Sequence, residues 1–301
     1  MQKPTSHRAQ ARSALKPLLA LGTPRHQHRG DGLIHSIGTY RVYLTALTLL
    51  SRWLRGEYRM ALKEADESAC LVYLGHRAAC VGQQTLDCDR KAIQAYLGMS
   101  LPRLRAKSPH DELAQRPRAY TWEQKELIKQ FVSPRRALAI QIAWEAGLRA
   151  MELYSLRPRR ERAPSQRRWD AFRFYPLSMS EHRLYTVQGK GGLVREVILS
   201  APTATCLEAK RTATLALVRD RDINFLSAYD LPGGLRISSA WTQASTRLFG
   251  WSNGFHGLRH SYCQRRLHEL IAAGISFQRG RQIVSQELGH FNPETTNHYL
   301  R

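Results

Sequence analysis

No stretch of 18 residues in this 301-residue chain is free of charged side chains, so no segment is long and apolar enough to span a bilayer as a helix. The longest apolar-leaning window, Val42 to Leu50, falls far short. The N-terminus lacks the apolar run of a secretory signal. Cysteine is scarce: Cys70, Cys80, Cys88, Cys206 and Cys263 are odd in number and form no CxxC pair. That argues against a disulfide framework and a zinc ribbon, and points to free thiols in a reducing, cytoplasmic compartment. Acidic residues are also in short supply, 24 against 46 lysines and arginines, for a net charge of +22. Self-repulsion on that scale calls for a polyanionic partner. Nucleic acid leads, with anionic membrane or acidic protein behind it. Basic residues outnumber acidic ones 18 to 9 up to residue 117 and 28 to 15 beyond it, so a single basic tail does not account for the excess.

What is present suits a globular protein: 43% of residues are hydrophobic, and the length predicts two domains. Residues 1–31, rich in Lys, Arg, His, Gln and Pro, read as a flexible basic arm with a short helix near Ala14 to Leu21. His26, His28 and His35 read as part of this solvated region, not as metal ligands. Tyr40, Leu44, Leu47, Leu50 and Leu54 recur at helical spacing. With helices near 67–80 and 87–97, they predict a small all-α domain over 32–101. Residues 102–119, carrying Pro102, Pro109, Pro117 and several arginines, read as a basic linker.

The second domain, 120–301, opens on a capping box, Thr121 with Gln124, and on a Ser133-Pro134 helix start. Two β-rich runs flank Gly189-Lys190-Gly191-Gly192 and predict a hairpin. Helices follow at about 203–219, 238–249, 257–273 and from Pro293 onward. The fold class expected is mostly α with a small antiparallel β-sheet (α+β).

Four segments carry chemistry. Arg149 follows the helix-ending Gly147, with Glu152 three residues on. Lys190 sits at the hairpin turn. His256 and Arg259 share one side of a helix start, where the dipole favours an anion. Leu288-Gly289-His290 is followed nine residues after His290 by Tyr299. Each is weak alone. In order they supply what phosphoryl transfer to a protein hydroxyl requires. Two guanidinium groups can hold the non-bridging oxygens and stabilise the charge of the transition state. A lysine or histidine can protonate the departing oxygen, and a tyrosine can be the nucleophile.

These segments resemble the signature boxes of the tyrosine recombinase (phage integrase) family, mobile-element integrase type, over about Tyr120 to Arg301. The N-terminal region agrees with the family's helical core-binding (SAM-like) domain only in size, position and basicity. The resemblance implies Tyr299 as nucleophile, Arg149 and Arg259 as the phosphate clamp, and Lys190 as general acid for the 5′-oxygen. His256 would assist proton transfer to or from Tyr299, His290 would hydrogen-bond the phosphate, and Glu152 would buttress the site. It implies no cofactor and no metal. The reaction implied is site-specific cleavage and rejoining of double-stranded DNA through a 3′-phosphotyrosyl intermediate, to integrate or excise a mobile element. The implied assembly is a homotetramer on DNA, a monomer when free, aided by a directionality factor or a host DNA-bending protein. The implied location is cytoplasmic and nucleoid-associated, with no membrane partner. Xer-like dimer resolution, type IB topoisomerase-like relaxation and an inactive DNA-binding protein stand as alternatives. The segment Arg157 to Arg168, with six arginines, reads equally as a loop lying on DNA or a solvated insertion.

Overall fold

The computed structural model describes residues 6–21, 30–107, 116–189, 191–221 and 223–300. The chain divides into two compact units, residues 1–115 and 116–301.

In the first unit, α1 (His7–Leu15), α2 (Ile37–Glu57), α3 (Glu67–Cys80) and α4 (Gln83–Leu97) enclose one apolar core. Ser6, Ser36 and Asp66 cap α1, α2 and α3 by accepting from backbone N–H groups of the first turn. The spacing of Leu44, Leu47, Leu50 and Leu54 puts all four on the buried side of α2, against Tyr73, Leu74 and Ile93. The described residues 6–21 of the N-terminal segment depart from a free arm. Helix α1 starts at His7, ahead of its expected place, and Ala11 and Leu15 are fully buried in this core. Two apolar side chains one helical turn apart suffice to bind an otherwise basic helix to the leucine face of α2. His26 and His28 lie outside the described residues, and His35 pairs with Asp31 at 3.1 Å. The stretch expected to begin the linker is likewise attached: Leu101 is buried, and Gln83 hydrogen-bonds the Leu104 carbonyl and the Ala106 N–H. Residues 108–115 of that linker lie outside the described residues.

The second unit begins with α5 (Trp122–Gln130), opened by the Thr121–Gln124 capping box, and α6 (Pro134–Ala146). A 3-10 turn, Glu152–Ser155, leads to β1 (Arg157–Pro158). Strand β1 pairs with β2 (His182–Gln188), and β2 with β3 (Val194–Ser200), all antiparallel, so the hairpin forms as expected. Helix α7 (Ala201–Glu208) is shorter than the sequence suggested. The expected helix over 203–219 gives way to β4 (Arg211–Asp220), paired antiparallel with β5 (Ile223–Tyr229). Alanine and leucine favour helix locally, but Thr212, Thr214 and Val218 fit a strand, and pairing with β5 decides the outcome. Helices α8 (Gly234–Phe249), α9 (Gly257–Ala272), α10 (Phe277–Glu287) and α11 (Pro293–Asn297) complete the unit. The class is therefore mostly α with small antiparallel sheets.

Two apolar clusters hold this unit. One joins α6, the β2–β3 hairpin and α8 through residues such as Ile140, Val187, Val197 and Trp241. The other joins α9 and α10 through Tyr262, Leu267, Leu270, Ile283 and Val284, and Tyr299 belongs to it. Buried Glu287 on α10 accepts from Tyr262 Oη, the Arg266 guanidinium and the Phe174 N–H, tying the loop before β2 to both helices. The arginine-rich segment is partly structural. Arg162 donates to Thr186 and Ser155, Arg157 to the Leu226 carbonyl, and Arg159 to Glu196, while Arg160, Arg167 and Arg168 are exposed.

Candidate active site

Four chain segments distant in sequence meet between the end of α6, the start of α9 and the end of α10. Helix α6 stops at Gly147, whose φ of +59° suits a residue without Cβ and turns the chain toward Arg149. The Gly147 carbonyl then accepts from Arg259 Nη1 at 2.6 Å, and the Leu288 carbonyl accepts from Arg259 Nη2. Arg259 is thus fully buried and fixed by backbone at the ends of two helices. Arg149 is different: its side chain is 32% exposed, and it donates through Nη1 to Glu152 Oε1 at 2.8 Å.

Both arginines point at one atom. His290 Nε2 lies 3.2 Å from Arg149 Nη2 and 3.1 Å from Arg259 Nη2. The Tyr299 hydroxyl stands 3.5 Å from the same nitrogen. Two guanidinium donors require a lone pair on Nε2, so the imidazole is neutral with its proton on Nδ1. Electrostatics agree. Burial, then the charges of Arg259 and Arg149, push the His290 pKa down to about 3. The same causes in the same order push His256 down to about 4. His256 stands immediately before α9, with its ring centroid 5.5 Å from that of Tyr299. The Tyr299 ring also lies 4.8 Å from His260, 5.2 Å from His290, and 5.6 Å from the Arg259 guanidinium carbon. Gln264 on α9 donates to the Tyr299 carbonyl at 3.1 Å and anchors the last turn.

Beneath the arginines lies Glu152, almost fully buried. Its Oε2 accepts from the Arg149 N–H at 2.8 Å and from Arg195 Nη2 at 2.7 Å, with Arg259 Nη1 3.9 Å away. Burial alone would raise its pKa, but Arg195, Arg259 and Arg149 outweigh that and hold it at about 2. Burial and the charge of Arg149 bring Arg259 down to about 10, so it stays cationic at neutral pH. One carboxylate among three guanidinium groups leaves a surplus of positive charge in a recess where water screens poorly. Arg259 Nε and His290 Nδ1 are buried without a hydrogen-bond partner. An oxyanion with several acceptor oxygens answers such a donor set.

The structure therefore brings Arg149, His256, Arg259, His290 and Tyr299 together. Lys190 lies outside the described residues, but its neighbour Gly189 is next to the site: a Cβ there would fall 3.2 Å from Glu152 Oε1 and 3.8 Å from Arg149 Nη1. Sequence reasoning missed Arg195, whose only signal is a lone basic side chain inside a strand that is otherwise buried and mainly apolar. It also passed over His260. Among the described residues no cluster of three His, Cys, Asp or Glu side chains could hold a metal ion, and no helix is long and apolar enough to cross a membrane.

No protein-family model matches the chain, and no curated protein matches it in sequence. Solved structures do match. The post-cleavage complex of the XerH site-specific recombinase bound to a palindromic difH substrate aligns with a TM-score of 0.50 at 15% identity, over 88% of this chain and 76% of that one. A lambda integrase dimer bound to a COC′ core site aligns with a TM-score of 0.51 at 13% identity, over 92% and 91%. The chain has the fold of the tyrosine recombinases.

Proposed function

We propose that the chain is a site-specific recombinase that cleaves and rejoins double-stranded DNA through a 3′-phosphotyrosyl link to Tyr299. The observation that carries this reading is the convergence of Arg149, Arg259 and Tyr299 on His290 Nε2 at 3.1 to 3.5 Å. A scissile phosphate entering the site would take the guanidinium donors that His290 now accepts. Tyr299 Oη then attacks phosphorus and gives its proton to neutral His256 or His290. The bond from phosphorus to the 5′-oxygen breaks, and Lys190 protonates the departing oxygen. Arg149 and Arg259 stabilise the charge that builds on the equatorial oxygens. Attack by a 5′-hydroxyl reverses the steps and releases Tyr299, so the bond energy stays in the covalent link and no nucleotide is consumed. The charge stabilisation comes from side chains, so the reaction is expected to proceed in EDTA.

The surplus of basic residues in both units supports a duplex partner held along its backbone. Exchange between two duplexes takes four copies in this reading, as the family resemblance implies. Helix α1, in the basic N-terminal segment, is packed into the core of the first unit and offers no ground for choosing between element integration and dimer resolution. The reading is therefore strand exchange between two duplex sites, common to both. The test is covalent trapping on an SDS gel in EDTA, with labelled nicked duplexes from DNA flanking the gene. Wild type should give a shifted adduct and Tyr299→Phe none. A salt-sensitive gel shift without any wild-type adduct would make the chain a binding protein instead.

A further inference from the structure

One buried cation in the site has no part in the scheme above. Arg195, on β3, is 1% exposed, and its Nη2 donates to Glu152 Oε2 at 2.7 Å. Its Nε and Nη1 are buried without a hydrogen-bond partner. An arginine used only for packing would be an expensive choice there, because a similar-sized apolar side chain avoids desolvating a charge. Two neighbours suggest what the charge and stem are for. The first is Glu152, whose other bonds go to the Arg149 N–H and to Arg149 Nη1. The second is Gly289, the residue before His290, whose φ is +75°. A Cβ on Gly289 would fall 2.9 Å from Arg195 Cδ and 3.3 Å from its Nε. The arginine stem thus lies flat under the turn that presents His290, while its head holds the carboxylate that orients Arg149.

Resting on the recombinase reading, we propose that Arg195 is a positioning residue that sets Arg149 through Glu152 and sets His290 through the Gly289 turn. It touches neither phosphate nor Tyr299. Its contribution is to keep the Arg149 guanidinium and the His290 imidazole, carried by separate segments, in register before DNA arrives. A misplacement of an ångström between such groups is enough to cost a large factor in rate.

The test uses the full chain, the same nicked duplexes in EDTA, and three readouts: adduct rate at saturating DNA, gel-shift affinity and thermal melting. Arg195→Met is expected to lower the adduct rate about tenfold or more while affinity stays within about threefold. Arg195→Lys, which keeps the charge and most of the stem, should recover part of the rate. Arg195→Met combined with Glu152→Gln should lose less than the product of the two single losses, since the route through the carboxylate is common to both. That neutral pair, with Arg195→Lys, also carries the test if Arg195→Met alone melts too low to assay. A wild-type rate in Arg195→Met, no recovery with lysine, or losses that multiply in the double variant would each overturn the proposal. No adduct from wild type would overturn the recombinase reading and this inference with it. A normal wild-type adduct with an indifferent Arg195→Met sinks the inference alone.

Discussion

The Tyr299 hydroxyl and His290 Nε2 stand 3.5 Å apart, and their rings stack at an interplanar angle of 25°. The contact is long for a hydrogen bond, so the hydroxyl is held mainly by ring packing among His256, His260 and His290. Tyr299→Phe keeps that packing. It should melt within about 1 kcal/mol of wild type and bind DNA equally, yet form no covalent adduct. A residual adduct in this variant would move the nucleophile elsewhere.

His290 and His256 make stability depend on pH. Their pKa values in the folded chain are about 3 and about 4, below the ordinary 6.5. Between those limits the unfolded chain binds protons that the folded chain refuses, so acid favours unfolding. This contribution is fully present above pH 6.5 and is lost as pH falls toward 4. Urea midpoints at neutral pH and near pH 4.5 would check it. Wild type should lose more on acidification than His290→Asn, whose side chain does not titrate; equal losses would show that His290 is not the buried neutral group described.

The four boxes were legible because each is contiguous and ends on a glycine, a helix start or a turn, where local rules apply. The hairpin was legible because two β-rich runs flank a glycine turn. The β4–β5 hairpin was not, since alanine and leucine in 211–220 read as helix until a partner strand is known. Helix α10 was missed because Gly280, two arginines and three glutamines dilute a short buried stripe made chiefly of Ile283 and Val284. Arg195 could not be read as part of the site, because its only relation to Glu152 is spatial, across 43 residues.

The two arginines should separate in their effect on folding. Arg259 is fully buried and donates to the Gly147 and Leu288 carbonyls. Arg259→Ala leaves both acceptors and part of the Glu152 charge without a partner, at a cost of about 3 kcal/mol or more. Arg149 is about a third exposed, so Arg149→Ala should cost nearer about 1 kcal/mol. Cleavage at saturating DNA should fall about 100-fold or more in both. Chemical denaturation alongside adduct rates measures the two effects separately. Equal stability losses would contradict the anchoring of Arg259.

In the proposed reaction, Lys190 protonates the leaving oxygen. Lys190→Ala should slow cleavage by a factor on the order of 100 to 10,000. A substrate with sulfur at the 5′-bridging position leaves without being protonated, so it should restore most of the rate. Failure of that substrate to help would move the general-acid role to another side chain.

Gly147 joins backbone geometry to the site, so a single added methyl there should act twice. Its φ is +59°, and a Cβ would lie 2.6 Å from Tyr262 Cδ1 and 3.0 Å from Leu288 Cδ2. Tyr262 cannot swing away easily, because it is buried and donates to Glu287 at 2.9 Å. Any shift of residue 147 also moves the carbonyl that holds Arg259. Gly98, which ends α4 with φ of +72° and open space around its Cβ position, is the control. Gly98→Ala meets backbone strain alone, about 1 kcal/mol. Gly147→Ala adds a clash in a packed core and should lose about 2 kcal/mol more. At temperatures where both variants stay folded, Gly147→Ala should also cleave more slowly and Gly98→Ala at the wild-type rate. Matching melting points would show that the junction yields to a side chain, and the placement of Arg259 would then have to come from Leu288 and Glu152 instead.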